Sequence, residues 1–296
     1  MREIKPTLKV YKPVAGTNIT YVMGHVLRSP VKKRDKITTN PFKNALEMIR
    51  RYRVKGMKNE EVQIELPDKI EVIQTDKNGY FETEIRGVTN QQIRISIPQF
   101  AISEQLDITV ANKIEKIIVS DIDDTILVSH STSLWRKLYL LLTKNHQRRK
   151  AFRGTEKFYH QLMGEGGQLF YVSSSEWNLY DFLNDFMNYN ELPEGVLLLQ
   201  DIKSGIRDLV KSGGGSHSHK KDKIERLLRV FPDVKFVLIG DSGQKDPYIY
   251  QSIVREYPGR VEEVYIRDVR KSKRDELEIL YHSLKDHGVT LQVLTK

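Results

Sequence analysis

Asp121-Ile122-Asp123-Asp124-Thr125 follows a short apolar run, Ile117-Ile118-Val119, closed by Ser120. Acids at the end of a buried strand are costly unless a cation or hydrogen bonds satisfy them. Two carboxylates one residue apart, in the turn leaving such a strand, can converge on one phosphate. One can attack phosphorus and the other can protonate the departing oxygen. The plainer alternative is a helix N-cap cluster, since Asp and Thr both suit that position.

Three further sites fall at predicted strand or helix ends. Ser173 follows Leu169-Phe170-Tyr171-Val172, where a hydroxyl can donate to a phosphoryl oxygen or serve turn chemistry across Ser173-Ser174-Ser175. Lys220 stands beside His219 before the Ile224-Leu227-Leu228 helix and can neutralise anionic charge as a point cation. Lys221 and Lys223 are close by, and spacing alone does not choose among the three. Gly240-Asp241-Ser242-Gly243-Gln244-Lys245-Asp246-Pro247 follows Phe236 to Ile239. Asp241 leaves the strand, and Asp246 caps a helix with Pro247 at its first position. Such a carboxylate pair suits Mg²⁺, a hard cation that takes few carboxylates plus phosphate and water. Asp246 as a cap alone is the rival reading.

These residues need strand ends to hold them, and the hydrophobic pattern supplies the strands. Apolar runs at Ile117 to Val119, Leu169 to Val172, Val196 to Leu199, Phe236 to Ile239, Val264 to Ile266 and Val289 to Leu294 alternate with amphipathic stretches. Helices are expected at Trp177 to Tyr189, Lys221 to Val230, Pro247 to Tyr257 and Arg274 to His287. Continuous apolar strands between helices indicate an α/β fold, a mostly parallel sheet covered on both faces. Its ligand binds at the carboxyl ends of the strands. Before about residue 113 the pattern has period two instead, as in Val62, Ile64, Leu66 and Ile93, Ile95, Ile97, with a turn at Asp76-Lys77-Asn78-Gly79. This part is expected to be a small antiparallel β-sandwich with one helix inserted from Pro41 to Arg53. Ser212 to His219, rich in glycine, is expected to be a loop, and His217 and His219 loop residues rather than metal ligands.

The 296 residues suffice for two domains with cores. The absence of cysteine excludes disulfides, thiol catalysis and cysteine zinc sites. No apolar run approaches a membrane span, and Met1 to Val10 has no signal-peptide core, so a cytoplasmic protein is expected. A net charge of +9 favours anionic partners without choosing among phosphate esters, acidic lipids and nucleic acid.

The order acid pair, hydroxyl, lysine, then G-D-x-x-x-x-D resembles the haloacid dehalogenase phosphatases. Tyr171-Val172-Ser173-Ser174-Ser175-Glu176-Trp177-Asn178-Leu179-Tyr180-Asp181 carries a closer likeness. So do Gly240 to Pro247 with Ile249-Tyr250, and Tyr257-Pro258-Gly259-Arg260 with Tyr265-Ile266-Arg267-Asp268. Over about Ile114 to Val269 the chain resembles the actin-patch-type phosphatidate phosphatases and their bacterial relatives, although Glu176 stands where that family usually has proline. Thr75-Asp76-Lys77-Asn78-Gly79-Tyr80-Phe81 is similar to the family's N-terminal region, and also to transthyretin-like sandwiches.

The resemblance implies a Mg²⁺-dependent phosphatase that works through an aspartyl-phosphate. It implies Asp121 as nucleophile and metal ligand. Asp123 becomes the general acid/base, its backbone carbonyl also on the metal. Thr125 supports the turn, Ser173, Ser174 and Lys220 bind the phosphoryl group, Asp241 is the third metal ligand, and Asp246 ligates directly or through water. The implied fold is a haloacid dehalogenase-like Rossmannoid sheet at 113–296, with a short helical insertion at about 128–165, preceded by the β-sandwich at 1–112. The implied substrate is phosphatidate or a related lipid phosphate. A soluble or nucleic-acid phosphomonoester and a non-catalytic lipid-binding module are the alternatives, and no specific nucleic-acid partner is expected. Within the insertion, Ser133 to Lys150 sets Leu134, Trp135, Leu138, Leu141 and Leu142 against Arg136, Lys137, Lys144, Arg148, Arg149 and Lys150. That pattern suits peripheral contact with an anionic membrane, but packing on the sheet is the preferred reading. Arg267 and Asp268 are expected to form a salt bridge or to contact substrate.

Overall fold

The structure, a computed structural model, describes residues 6–29, 54–88, 90–111, 113–127, 151–200, 218–269 and 274–294. The helices expected at 41–53 and 133–150, and His217, lie outside these residues. The described residues fall into two compact units, one ending at residue 111 and one beginning at residue 113.

The first unit contains β1 (Thr7–Val10), β2 (Val14–Ala15), β3 (Ile19–Leu27), β4 (Glu61–Glu65), β5 (Ile70–Gln74), β6 (Tyr80–Arg86), β7 (Gln91–Ile97) and β8 (Ile102–Ile108). They form two antiparallel sheets. In one, β3 pairs with β1 and β2 along one side and with β6 along the other. The other runs β5-β4-β7-β8. Period two is the cause: Val62 and Ile64, Ile93 and Ile95, and Leu106 and Ile108 are buried while most residues between them face outward. The turn before β6 is fixed by Asp76, whose Oδ1 accepts the Asn78 and Tyr80 N–H groups at 2.8 Å each. Gly79 there has φ 79°, and a Cβ would meet the Val26 carbonyl oxygen at 2.4 Å, so only glycine fits.

The second unit is α/β. Its strands are β9 (Lys116–Ser120), β10 (Gly167–Glu176), β11 (Val196–Gln200), β12 (Lys235–Asp241), β13 (Val261–Arg267) and β14 (Thr290–Leu294). Its helices are α1 (Thr155–Met163), α2 (Tyr180–Tyr189), α3 (Ser218–Val230), α4 (Asp246–Glu256) and α5 (Arg274–Lys285). All six apolar runs expected to be strands are strands. Trp177 to Leu179 form a short 3₁₀ turn that leads into α2. Helix α1 joins β9 to β10, in a stretch the sequence reading places within the insertion. Residues Leu127 and Ala151 pair in an antiparallel bridge, so the chain returns at 151 beside the point it left.

All neighbouring strands of this sheet are parallel, in the order β11-β10-β9-β12-β13-β14. Counted from β9, this is the doubly wound order 3-2-1-4-5-6. Right-handed crossovers then place α1 and α2 on one face and α3, α4 and α5 on the other; α3 packs on α4, and α4 on α5. The direction in which successive strands are added reverses between β9 and β12, and in such sheets ligands bind at the carboxyl ends of the strands at that point. Asp121 and Asp241 stand at those two ends.

Candidate active site

The loop after β9 closes on itself. Asp124 adopts φ 60°, and the N–H groups of Ile126 and Leu127 both donate to the Ile122 carbonyl, at 3.0 and 2.9 Å. The Asp121 N–H donates to Ile239 of β12 at 2.8 Å, tying the loop to the neighbouring strand end. Thr125, fully buried, donates to Asp121 Oδ2 at 3.4 Å. Behind the loop, Arg267 Nε donates to the Thr125 carbonyl at 2.7 Å, and its guanidinium lies 4.2 Å from the Phe152 ring centroid. Arg267 is therefore a buried brace of the acid loop. Asp268 instead accepts from Ser242 Oγ at 3.2 Å.

Lys220 is buried and bridges two acids. Its Nζ donates to Asp121 Oδ1 at 3.0 Å and to Asp246 Oδ1. The other two lysines point elsewhere: Lys221 pairs with Glu256 at 2.7 Å, and Lys223 donates to the Leu198 carbonyl at 3.2 Å. Helical phase makes this choice. Helix α3 begins at Ser218, so Lys220 lies one turn before buried Ile224, on the inward face. With the helix expected only from Lys221, that signal is invisible. Asp246 Oδ2 also accepts the Asp241 N–H at 3.2 Å. A Cβ on Gly240 would lie 2.5 Å from that oxygen, which explains the glycine before Asp241.

Asp241 Oδ1 accepts the N–H groups of Gly243 and Gln244, at 2.6 and 3.0 Å. Its Oδ2 is thereby aimed at the Gln244 side chain, whose Nε2 lies 2.7 Å away. The same Nε2 lies 3.2 Å from Asp121 Oδ2 and 3.0 Å from the Asp123 carbonyl oxygen. On the third side, Ser173 is buried and its Oγ accepts the Ser175 N–H at 3.0 Å, while Ser175 Oγ donates to Asp123 Oδ2 at 3.4 Å. Ser174 faces outward and His219 is exposed.

Hydrogen bonds thus join Asp121, Asp123, Thr125, Lys220, Asp241 and Asp246 into one network through Gln244 and Lys220, with Ser173 attached through Ser175. The sequence gives no role to Gln244 and only turn chemistry to Ser175, although both sit inside quoted motifs.

Burial pushes the Asp121 carboxyl up to about 7; Lys220 opposes this, and the charges of Asp246 and Asp123 add to it. Burial likewise pushes Asp241 up to about 8, reinforced by Asp246 and Asp121 and opposed by Lys220. Burial works against the charge of Lys220, but Asp121 and Asp246 outweigh it and hold the ammonium above its ordinary value. One lysine thus faces three buried carboxyls. Oxygen atoms of Asp121, Asp241 and Asp246 lie within 4.8 Å of one another. An all-oxygen donor set short of positive charge fits a hard divalent cation. The convergence of Asp121 Oδ2, Asp123 O and Asp241 Oδ2 on one point supports the same fit.

These features define an α/β protein with an acid-rich site at the switch point of its parallel sheet. Comparison with known proteins is more specific. The family model described as the phosphatidate phosphatase APP1 catalytic domain matches residues 116–268, and the chain belongs to that family. Phosphatidate phosphatase APP1 of Saccharomyces cerevisiae is 27% identical over 159 residues, covering 53% of this chain and 27% of that one. The uncharacterized protein C29B5.04c of Schizosaccharomyces pombe is 27% identical over 156 residues, covering 51% and 25%. The aligned part thus spans about a quarter of the length of these relatives. Among solved structures, a carbohydrate acetylesterase from Xanthomonas citri, XAC1771, overlays with a TM-score of 0.33 and 10% identity over 98% of this chain and 68% of that one, too weak a likeness to use.

Proposed function

We propose that this chain is a Mg²⁺-dependent phosphatase of the haloacid dehalogenase type that hydrolyses phosphatidate or a related lipid phosphate through an aspartyl-phosphate. The observation that carries the reading is Asp121, buried at the switch point with Lys220 on one carboxylate oxygen and the acid loop folded around it. Family membership supports it.

Lys220 offsets part of the upward pull of burial on Asp121, and the positive charge of a metal held beside it would complete the ionisation that attack on phosphorus needs. Attack by an Asp121 carboxylate oxygen forms the Asp121–phosphorus bond while the ester oxygen leaves. Asp123, oriented by Ser175, gives the leaving alkoxide its proton; it then takes a proton from the water that cleaves the acyl phosphate, releasing phosphate. Ser173 and Lys220 supply donors to the phosphoryl oxygens. Asp121, Asp241 and the Asp123 carbonyl would hold Mg²⁺, which supplies Lewis-acid charge neutralisation in phosphoryl transfer. Asp246 ranks behind them, because its oxygens already serve Lys220 and the Asp241 N–H.

The lipid assignment rests on the family and on the +9 charge. No described helix is long and apolar enough to cross a membrane. We propose a cytoplasmic enzyme that meets anionic membranes peripherally through its positive charge. We also propose the division into a β-sandwich at 1–112 and a catalytic domain at 113–296. The test is a phosphate-release panel in Mg²⁺: phosphatidate vesicles, glycerol phosphate, a nucleoside monophosphate and p-nitrophenyl phosphate, with Asp121→Asn as the blank. Preference for a soluble ester would remove the lipid assignment, and undiminished release by the variant would remove the mechanism.

A further inference from the structure

Gln244 occupies an unusual position. Its Nε2 faces three acceptors, Asp241 Oδ2 at 2.7 Å, the Asp123 carbonyl at 3.0 Å and Asp121 Oδ2 at 3.2 Å. A carboxamide nitrogen carries two hydrogens, so it cannot fully satisfy three oxygens. The opposite orientation would place a fourth oxygen among them, which favours the nitrogen pointing inward. Those oxygens are the atoms assigned above to the metal. A Mg²⁺ ion sits about 2.1 Å from its oxygen ligands. An ion at the same focus would overlap the nitrogen, and the two cannot share it.

The turn makes the placement deliberate. The Gly243 and Gln244 N–H groups hold Asp241 Oδ1, which aims Oδ2 at the Gln244 carboxamide. A neutral donor group on the same turn as Asp241 thus stands at the centre of a cluster of buried carboxyls.

We infer that Gln244 is a built-in stand-in for the cation: it shares its two N–H donors among the three oxygens when no metal is bound, satisfying them in part, and its side chain rotates away to admit Mg²⁺. The affinity for metal is then set by competition with this side chain, not by the oxygen ligands alone. Removing the donor leaves the oxygens poorly satisfied and the metal unopposed. This inference rests on the metal assignment above.

The test measures binding directly on the full chain stripped with a chelator. Mg²⁺ is titrated calorimetrically into wild type, Gln244→Met, which keeps side-chain length without a donor, and Asp241→Ala; thermal unfolding is followed with and without Mg²⁺. Gln244→Met is expected to bind Mg²⁺ about tenfold more tightly than wild type, equivalent to about 1.4 kcal/mol. It is also expected to melt lower than wild type in chelator and to gain more from Mg²⁺. Asp241→Ala is expected to lose binding. If Asp241→Ala loses binding but Gln244→Met binds no more tightly than wild type, the stand-in role is overturned and the metal site stands. If Asp241→Ala binds like wild type, the metal assignment itself fails. A second measurement does not depend on a variant folding: the Gln244 side-chain amide resonances of ¹⁵N-labelled wild type. They are expected to move to the position of a solvated carboxamide as Mg²⁺ is added; resonances unmoved at saturation would overturn the proposal.

Discussion

Replacing Arg267 by methionine tests how the acid loop is held. The perturbation removes two contacts and keeps side-chain length. Arg267 Nε donates to the Thr125 carbonyl at 2.7 Å, and its guanidinium lies 4.2 Å from the Phe152 ring centroid. Both groups are well removed from water, since Arg267 is 6% exposed and Thr125 0%. A hydrogen bond with a charged donor contributes about 1.5–3 kcal/mol, and leaving a buried carbonyl unsatisfied costs a similar amount. A partly desolvated cation–π contact adds about 1 kcal/mol. Methionine regains part of this through apolar contact with Phe152, so Arg267→Met is expected to lose about 2–4 kcal/mol in urea unfolding. Thr125 in turn orients Asp121, so the catalytic rate is expected to fall by at least about tenfold while KM for a small phosphate ester changes little. The opposite pattern would refute the reasoning: unchanged stability with a raised KM would make Arg267 a substrate contact instead of a brace.

Asp123→Asn is expected to slow hydrolysis of alkyl phosphates far more than that of p-nitrophenyl phosphate, because only poor leaving groups need the proton; equal losses on both would take Asp123 out of the acid role. Asp241→Ala is expected to raise the Mg²⁺ requirement for activity strongly and Asp246→Ala less so, as a metal titration of rates will show, since Asp246 is engaged by Lys220 and the Asp241 N–H. His25 gives a pH signature in the other unit. Burial, helped by the charge of Lys9, lowers its pKa to about 3, whereas the unfolded chain protonates near 6.5. Between those values the unfolded state binds more protons, so stability is complete above about pH 6.5 and falls with pH, by about 2 kcal/mol at pH 5. Urea unfolding at about pH 5 and 8 should show this loss in wild type and not in His25→Gln; equal pH dependence in both would refute it.

The strands and their acid-bearing ends are legible in the sequence because each is a local property. Ile117-Ile118-Val119 and Phe236 to Ile239 are continuously apolar because both faces of a parallel sheet are covered. Asp121 and Asp241 end those apolar runs while still buried, and a buried acid needs a reason. Pro247 likewise marks a local backbone requirement, the first turn of α4, whereas Gly240 is there to leave room for the Asp246 carboxylate. What the tertiary structure decides is adjacency. Strand order puts β9 beside β12 and so brings Asp121 against Lys220 and Gln244, residues far apart in the chain with no shared periodicity. The start of α3 at Ser218 selects Lys220 over Lys221 and Lys223, because only then does its helical phase turn inward with Ile224. Arg267 could have been a salt-bridge partner or a substrate ligand by sequence; it became a brace because the parallel register of β13 with β12 carries it to the Thr125 carbonyl. Nothing local distinguishes Gln244 from any glutamine in a polar turn. Its role follows from three oxygens, contributed by two different strand ends, that meet at one point only when the sheet is assembled.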